Sequence, residues 1–128
     1  MIAYLVDADL LIDLLNGFQP TIDFIAILQQ PGDVLTTAAV AIAETMTGIT
    51  PARRPDVRAF LATFVCLDVT RDIAVRAGEL RYDAFRRGRP LPATDALIAA
   101  TAVENHAVLL TRNRRHFQGT GATVLGPS

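Results

Sequence analysis

The hydrophobic pattern of the chain alternates between short apolar runs and longer amphipathic segments. Apolar runs without polar alternation predict strands that are buried on both faces. They lie at 2–6, 34–36, 65–69, 108–110 and 123–125. Because helical patterns separate these strands throughout, the sequence predicts a three-layer α/β/α sandwich with a mainly parallel sheet. With no repeat, linker or low-complexity tract, residues 1–128 are expected to form a single domain.

Two of the predicted helices have recognisable starts. Thr70 is expected to cap a long amphipathic helix whose apolar stripe extends to Phe85 and which stops at Gly88. Thr94 is expected to cap the helix at 95–105, whose apolar side should meet the sheet.

Composition narrows the class of protein. Hydrophobic residues make up 51% of the chain, which excludes a disordered protein. No apolar run reaches the roughly 18 residues that span a bilayer, so we expect a soluble, cytoplasmic protein without a membrane partner. The single cysteine, Cys66, lies in the apolar run FVCLDV and is expected to be a small core residue.

All twelve basic residues are arginines, although the net charge is −1. Arginine grips phosphate through two parallel hydrogen bonds, which lysine cannot do. Several of the arginines cluster at Arg86, Arg87 and Arg89 and again at Arg112, Arg114 and Arg115. The second cluster follows the fourth predicted strand and is a candidate to hold phosphates. A solvated charged face is the alternative.

Three acids, Asp7, Glu44 and Asp95, lie among apolar residues on separate elements. Asp7 ends the first predicted strand, Glu44 is the only charged residue in its helical segment, and Asp95 shares a face with small apolar residues. Buried unpaired carboxylates are strongly destabilising, so such groups normally pair or bind metal. Oxygen ligands of this kind suit Mg²⁺ or Mn²⁺. The alternatives are helix caps at Asp7 and Asp95 and a distant arginine partner for Glu44.

Asn113 is a fourth candidate, just after the last of the central strands. The carboxyl ends of parallel strands lie along one edge of a sheet, so Asn113 should approach Asp7. An ordinary turn asparagine is the alternative.

Other classes of protein fit the sequence less well. Asp7 and Asp9 are also compatible with a phosphatase of the haloacid dehalogenase type, but such enzymes typically place a lysine beside the phosphoryl group, and this chain has none. No G-x-G-x-x-G follows the first strand, which argues against a dinucleotide-binding domain. A non-enzymatic binding module would leave the inward acids unexplained.

Three segments in this order resemble the PIN-domain family, and within it the VapC-type toxin ribonucleases. They are LVDADLLIDLL, VAIAETMTG and TDALIAATAVENHAVLLTRNRRHF, and their spacing fits along essentially the whole chain. The resemblance implies a PIN-type sandwich in which Asp7, Glu44 and Asp95 are the metal-binding acids. It also implies an endoribonuclease that depends on Mg²⁺ or Mn²⁺, an RNA substrate, a cognate VapB-type antitoxin and a homodimer.

The chain departs from the family pattern at two positions. The fourth acidic position, often Asp, is Asn113 here, which would complete the catalytic site through an uncharged amide oxygen. The residue two after the first acid is usually Asn, Ser or Thr, but here it is Asp9. The extra charge of Asp9 would offset the charge missing at Asn113.

Overall fold

The computed structural model describes residues 1–127 and contains one five-stranded sheet. Every strand pairs in parallel with its neighbours, in the order β3-β2-β1-β4-β5. The strands are β1 (Ala3–Val6), β2 (Val34–Ala38), β3 (Val65–Leu67), β4 (Val108–Leu110) and β5 (Val124–Leu125). The predicted positions of all five strands are thus confirmed to within two residues at each end.

Six α-helices connect and flank the strands. They are α1 (Ala8–Leu15), α2 (Gln19–Leu28), α3 (Ala39–Thr47), α4 (Arg54–Leu61), α5 (Arg71–Arg86) and α6 (Ala93–Glu104), with 3₁₀ turns at Pro51–Arg53 and Arg114–Phe117. The predicted α/β sandwich is therefore confirmed. Within residues 1–127, no single helix is long and apolar enough to cross a membrane; α1 and α2 reach that length and composition only together, with a bend of 114° between them.

The strand order creates a crevice at the carboxyl edge of the sheet. From β1 the chain moves outward through β2 to β3, then crosses back to β4 on the other side of β1. Open α/β sheets bind ligands where the direction of winding reverses in this way. Val6 is in register with Leu110, and the Asp7 N–H donates to the Leu110 carbonyl at 3.0 Å. Asp7 and Thr111 therefore leave the sheet side by side at this crevice.

Helix α6 lies at the centre of the packing. Ile98 and Ala99 are fully buried in the core that contains the central strands, whereas Ala96 and Ala100 are fully buried against α5. A helix that is apolar on nearly every side is one that the fold encloses. Its small alanines let the neighbouring elements approach closely, and this packing fixes Asp95 in the first turn of α6.

Several local predictions can be compared with the structure. The Thr70 hydroxyl caps α5 by accepting from the Ile73 N–H at 3.1 Å, as expected. The Thr94 cap is wrong, because α6 begins at Ala93 with Pro92 in the cap position. The fixed φ of a proline is compatible with the entry to a helix.

Two burial predictions are wrong. The side chain of Phe85 is 73% exposed, because the buried stripe of α5 follows Ile73, Ala77 and Ala84 instead. Cys66 is exposed, because β3 is the edge strand of the sheet and is covered less than its neighbours.

Gly126 provides a test of how the last strand is held. A Cβ at this position would lie 2.1 Å from the carbonyl oxygen of Thr111, whose N–H donates to Leu125 at 3.0 Å. Gly126→Ala should therefore separate β5 from β4 and lower the free energy of unfolding by about 1–3 kcal/mol.

Gly78→Ala is the matched control, since nothing lies within 4 Å of the added Cβ in the middle of α5. It should raise the free energy of unfolding by roughly 0.5–1 kcal/mol through helix propensity. Urea denaturation measures both changes. Equal stability of the two variants would contradict the close approach at Gly126.

Candidate metal and catalytic site

Asp7 is the most buried carboxylate at the crevice. Only 7% of the residue is exposed, and its Oδ1 accepts from the Ala8 N–H at 2.8 Å at the start of α1. Asp7 therefore caps α1, which is the alternative interpretation that the sequence left open for this residue. Burial, together with repulsion from Asp9 and Glu44, raises the pKa of Asp7 to about 7, although hydrogen bonds from Ala8 and Thr111 oppose the shift.

Glu44 and Asp95 face the same crevice from two different helices. Burial and then repulsion by Asp95 and Asp9 raise the pKa of Glu44. Burial also raises the pKa of Asp95; His116 lowers it and Asp9 raises it further. Asp9 and Glu44 thus repel Asp7, and Asp9 also repels both Glu44 and Asp95. Asp7, Asp9, Glu44 and Asp95 are hereafter called the acid cluster.

The burial of these acids is uneven. Asp95 is partly buried, with 19% of its side chain exposed, but Glu44 is exposed on the side of α3. The expectation that all three predicted acids point inward is therefore wrong for Glu44, which reaches the crevice from its rim. Asp95 lies three residues after Pro92, the cap of α6, so the alternative that it is the helix cap is also wrong.

Asp9 ties the first helix to the end of β4. Its Oδ2 accepts from the Arg112 N–H at 2.8 Å and from the Thr111 hydroxyl at 3.2 Å, and its Oδ1 accepts from the Leu10 N–H at 2.8 Å. Hydrogen bonds from backbone N–H groups stabilise the ionised form of a carboxylate. These hydrogen bonds therefore fix the position of the extra acid of this chain beside Asp7.

The side chain of Arg112 pairs with Asp13, outside the acid cluster. Its guanidinium forms a salt bridge with Asp13, which also accepts from the Thr21 hydroxyl at 2.7 Å. The guanidinium carbon lies 5.9 Å from the centre of the Phe18 ring, within the range of a cation–π contact. Arg112 thus holds α1 and α2 against the end of β4.

No arginine guanidinium in residues 1–127 lies within 4 Å of a carboxylate of the acid cluster. Among residues 1–127, the only basic group within 4 Å of any of its carboxylates is His116, whose Nδ1 lies 3.5 Å from Asp95. In the same range, no three acidic, histidine or cysteine side chains converge closely enough to coordinate one cation as they stand. The donor set is nevertheless the oxygen-rich type that Mg²⁺ and Mn²⁺ prefer, and a cation would relieve the repulsion.

The remaining predicted site residues lie on the exposed segment after Arg112. Asn113, Arg114 and Arg115 are all exposed, and the Asn113 side chain forms no hydrogen bond within residues 1–127. The Asn113 N–H donates to the Thr111 hydroxyl at 3.2 Å, which keeps the residue near the end of β4. Its catalytic role remains a prediction.

Sequence reasoning missed two residues of this site. Thr111 contacts Asp9 and lowers the pKa of Asp7, and His116 contacts Asp95. Thr111 directly follows a predicted strand, at the same level as Asp7, so its position in the sequence was informative. His116 lacks any ligand spacing, and only the 3₁₀ turn brings it to Asp95.

The sequence matches the family model for the PIN domain over residues 4–121. It is 34% identical over 115 residues to "Ribonuclease VapC19" from Mycobacterium tuberculosis. The aligned residues cover 88% of this chain and 90% of that protein.

Two solved structures are similar along their whole length. The toxin–antitoxin complex from Klebsiella pneumoniae has a TM-score of 0.79 and 28% identity, covering 98% of each chain. VapBC2 from Rickettsia felis, bound to a DNA fragment from its promoter, has a TM-score of 0.85 and 18% identity, covering 99% of this chain and 100% of that one. Because the identity is only 18%, the Rickettsia felis structure supports the fold of this chain and nothing further.

An α/β sandwich with acids at the carboxyl edge of its parallel sheet, matched to ribonucleases of this fold, is the architecture of a nuclease. The chain belongs to the PIN-domain family, as a toxin of the VapC type.

The raised pKa of Asp7 predicts how stability depends on pH without metal. In the folded protein, the carboxyl group of Asp7 stays protonated up to about pH 7, whereas the aspartate of an unfolded chain loses its proton near pH 4. The free energy of unfolding should therefore fall as the pH rises through this window. Asp7→Asn should flatten the dependence and raise the free energy of unfolding at pH 8 by about 2–4 kcal/mol in chelator.

Asp83→Asn, an exposed acid on α5, is the control and should keep the pH dependence of the wild type. Urea denaturation at pH 5 and pH 8 provides the measurement. An Asp7→Asn protein less stable than the wild type at pH 8 would mean that the cap at α1 outweighs the repulsion.

Proposed function

We infer that this protein is an endoribonuclease that hydrolyses RNA phosphodiester bonds as the toxin of a toxin–antitoxin pair. The observation that carries this inference is the acid cluster at the winding reversal of a PIN fold, without an arginine partner in residues 1–127. The relative from Mycobacterium tuberculosis is named a ribonuclease, which agrees with it. The phosphatase and the binding module are not favoured, because the PIN match spans residues 4–121.

Asp7, Glu44 and Asp95 would hold Mg²⁺ or Mn²⁺, with Asn113 and Asp9 close to its shell. When bound, such a cation lowers the pKa of its water and stabilises the charge that develops on the phosphate. The buried carboxylate of Asp7 needs a cation to ionise fully at neutral pH, because its pKa is about 7. Metal dependence is thus a proposal that the chemistry of the donors supports.

The chain's own groups prepare the site in three ways. Asp9 and Thr111 keep the start of α1 fixed to the end of β4, which sets the position of Asp7. Packing around α6 sets the position of Asp95, and the Nδ1 of His116 lies 3.5 Å from its carboxylate. A scissile phosphate entering the crevice would therefore meet the carboxylates of Asp7 and Asp95 in fixed positions.

Two partners follow from the proposed function. The Klebsiella pneumoniae structure is a toxin–antitoxin complex, so we propose that a VapB-type antitoxin binds this chain and blocks its crevice. We also propose a homodimer, and the exposed apolar side chains of Val75, Tyr82 and Phe85 on α5 offer a surface for it. An enzyme that cleaves cellular RNA would act in the cytoplasm.

A cleavage assay on structured RNA tests the enzyme directly. Excess chelator should abolish cleavage, and Mg²⁺ or Mn²⁺ should restore it. Asp95→Asn should lower kcat/KM by about 100-fold or more, since even outer-shell partners of a metal contribute about 10–100-fold. Circular dichroism should show that the variant remains folded.

Asp83→Asn is again the control and should cleave RNA at the rate of the wild type. Cleavage that persists in excess chelator would overturn the metal dependence. A wild-type protein that leaves every RNA intact with either cation would overturn the ribonuclease.

A further inference from the structure

A cavity of about 410 Å³ opens beside the acid cluster, with Asp95 in its wall. It lies between the end of α5, the loop at 88–92 and the 3₁₀ turn at 114–117. Its floor is apolar and includes Leu80, Ala84 and Leu91. This volume is in the range of pockets that bind small organic ligands, and a phosphate ion alone would leave most of it empty.

Three arginines surround this cavity: Arg87, Arg89 and Arg115. Within residues 1–127, none of them lies within 4 Å of a carboxylate, whereas Arg112 is paired with Asp13. Their charges are therefore not neutralised by the protein. Arginines that surround a cavity without a paired carboxylate are typical of sites that bind phosphate.

Neutral groups hold two of these arginines across the cavity. Arg89 Nη2 donates to Gln118 Oε1 at 2.8 Å. The guanidinium of Arg87 lies over Gly119, where an added Cβ would be only 3.1 Å from its Nη2. Both side chains thus reach from α5 to the segment after the 3₁₀ turn and keep their full charge.

The backbone at the end of α5 fixes where these arginines emerge. Gly88 has a φ of +71°, and its N–H donates to the Phe85 carbonyl at 3.0 Å. The Arg89 N–H donates to the Ala84 carbonyl at 3.0 Å, which completes a Schellman motif. Arginines near a helix carboxyl end also stabilise the helix dipole. That effect does not account for Arg115, which comes from a different segment.

We propose that this cavity is a subsite for one nucleotide of the RNA strand, adjacent to the bond that is cleaved. The proposal rests on the proposed function. Arg87, Arg89 and Arg115 bind the phosphate of this nucleotide, while its sugar and base lie on the aliphatic floor. Because Asp95 belongs both to the cavity and to the acid cluster, a nucleotide bound here directs the next phosphodiester towards the acids. Because the aliphatic floor offers no hydrogen-bonding groups to the edges of a base, the subsite should bind the four bases with similar affinity.

Binding of adenosine 5′-monophosphate to the full chain in chelator tests the subsite without any catalysis. The double variant Arg87→Gln/Arg89→Gln should bind it at least about tenfold more weakly than the wild type, since it loses charge-assisted hydrogen bonds. Arg115 lies in the 3₁₀ turn at 114–117, outside α5. Arg115→Gln should also weaken binding of the nucleotide, and it provides the test if the double variant is unstable. Arg71→Gln is the matched control, because Arg71 lies at the start of α5, about 24 Å along the helix axis from Arg87.

NMR titration gives the dissociation constants. Inorganic phosphate should bind more weakly than the nucleotide, because it leaves the floor uncovered. Equal affinity of the wild type and both cavity variants would overturn the subsite. Equal affinity for phosphate and nucleotide would overturn the role of the floor.

Cleavage kinetics test whether RNA uses the subsite. Arg87→Gln/Arg89→Gln should raise KM for RNA about tenfold with little change in kcat, which is the signature of lost binding. The dependence of RNA binding on salt should become shallower by about 0.7 for each lost phosphate contact. An unchanged KM with an unchanged salt dependence would overturn the inference for RNA. If the wild type cleaves no RNA at all, the proposed function fails, and nucleotide binding still decides the subsite.

Discussion

Electrostatic repulsion among the four carboxylates of the acid cluster is the constraint on which the rest of the structure depends. The strand order brings Asp7 to the winding reversal, the packing of α6 fixes Asp95, and α3 brings Glu44 to the rim. Asp9 accepts hydrogen bonds from two backbone N–H groups and from the Thr111 hydroxyl, and from no guanidinium in residues 1–127. Repulsion raises the pKa values of three of these groups, beyond the effect of burial.

The distribution of arginines follows from the same constraint. An arginine within the cluster would neutralise its charge and so weaken the cation binding that we propose for it. Arg112, the nearest in the chain to the end of β4, is turned away to Asp13 and serves the packing of α1. Arg87, Arg89 and Arg115 remain beyond Asp95, around a separate cavity. Positive charge thus lies beside the acids without cancelling them, which suits a polyanionic substrate bound across both regions.

Much of the fold and part of the site could be predicted from the sequence. Uniformly apolar runs gave the strands, and an acid directly after a buried strand pointed to Asp7, because both features depend on neighbouring residues in the chain. The exposure of Glu44 and Cys66 depends on which elements cover α3 and β3, and no local pattern contains this information. The partner of Arg112 and the approach of His116 to Asp95 arise from tertiary packing in the same way.

We propose that a cation binds where Asp7 would otherwise keep its proton. Calorimetric titration of Mn²⁺ in buffers of different ionisation enthalpy counts the protons released on binding. Because the pKa of Asp7 is about 7, the wild type should release close to one proton per cation at about pH 6 and almost none at about pH 8.5. Asp7→Asn should lose this release. Mn²⁺ binding without proton release at the lower pH, or the same release from Asp7→Asn, would contradict the account.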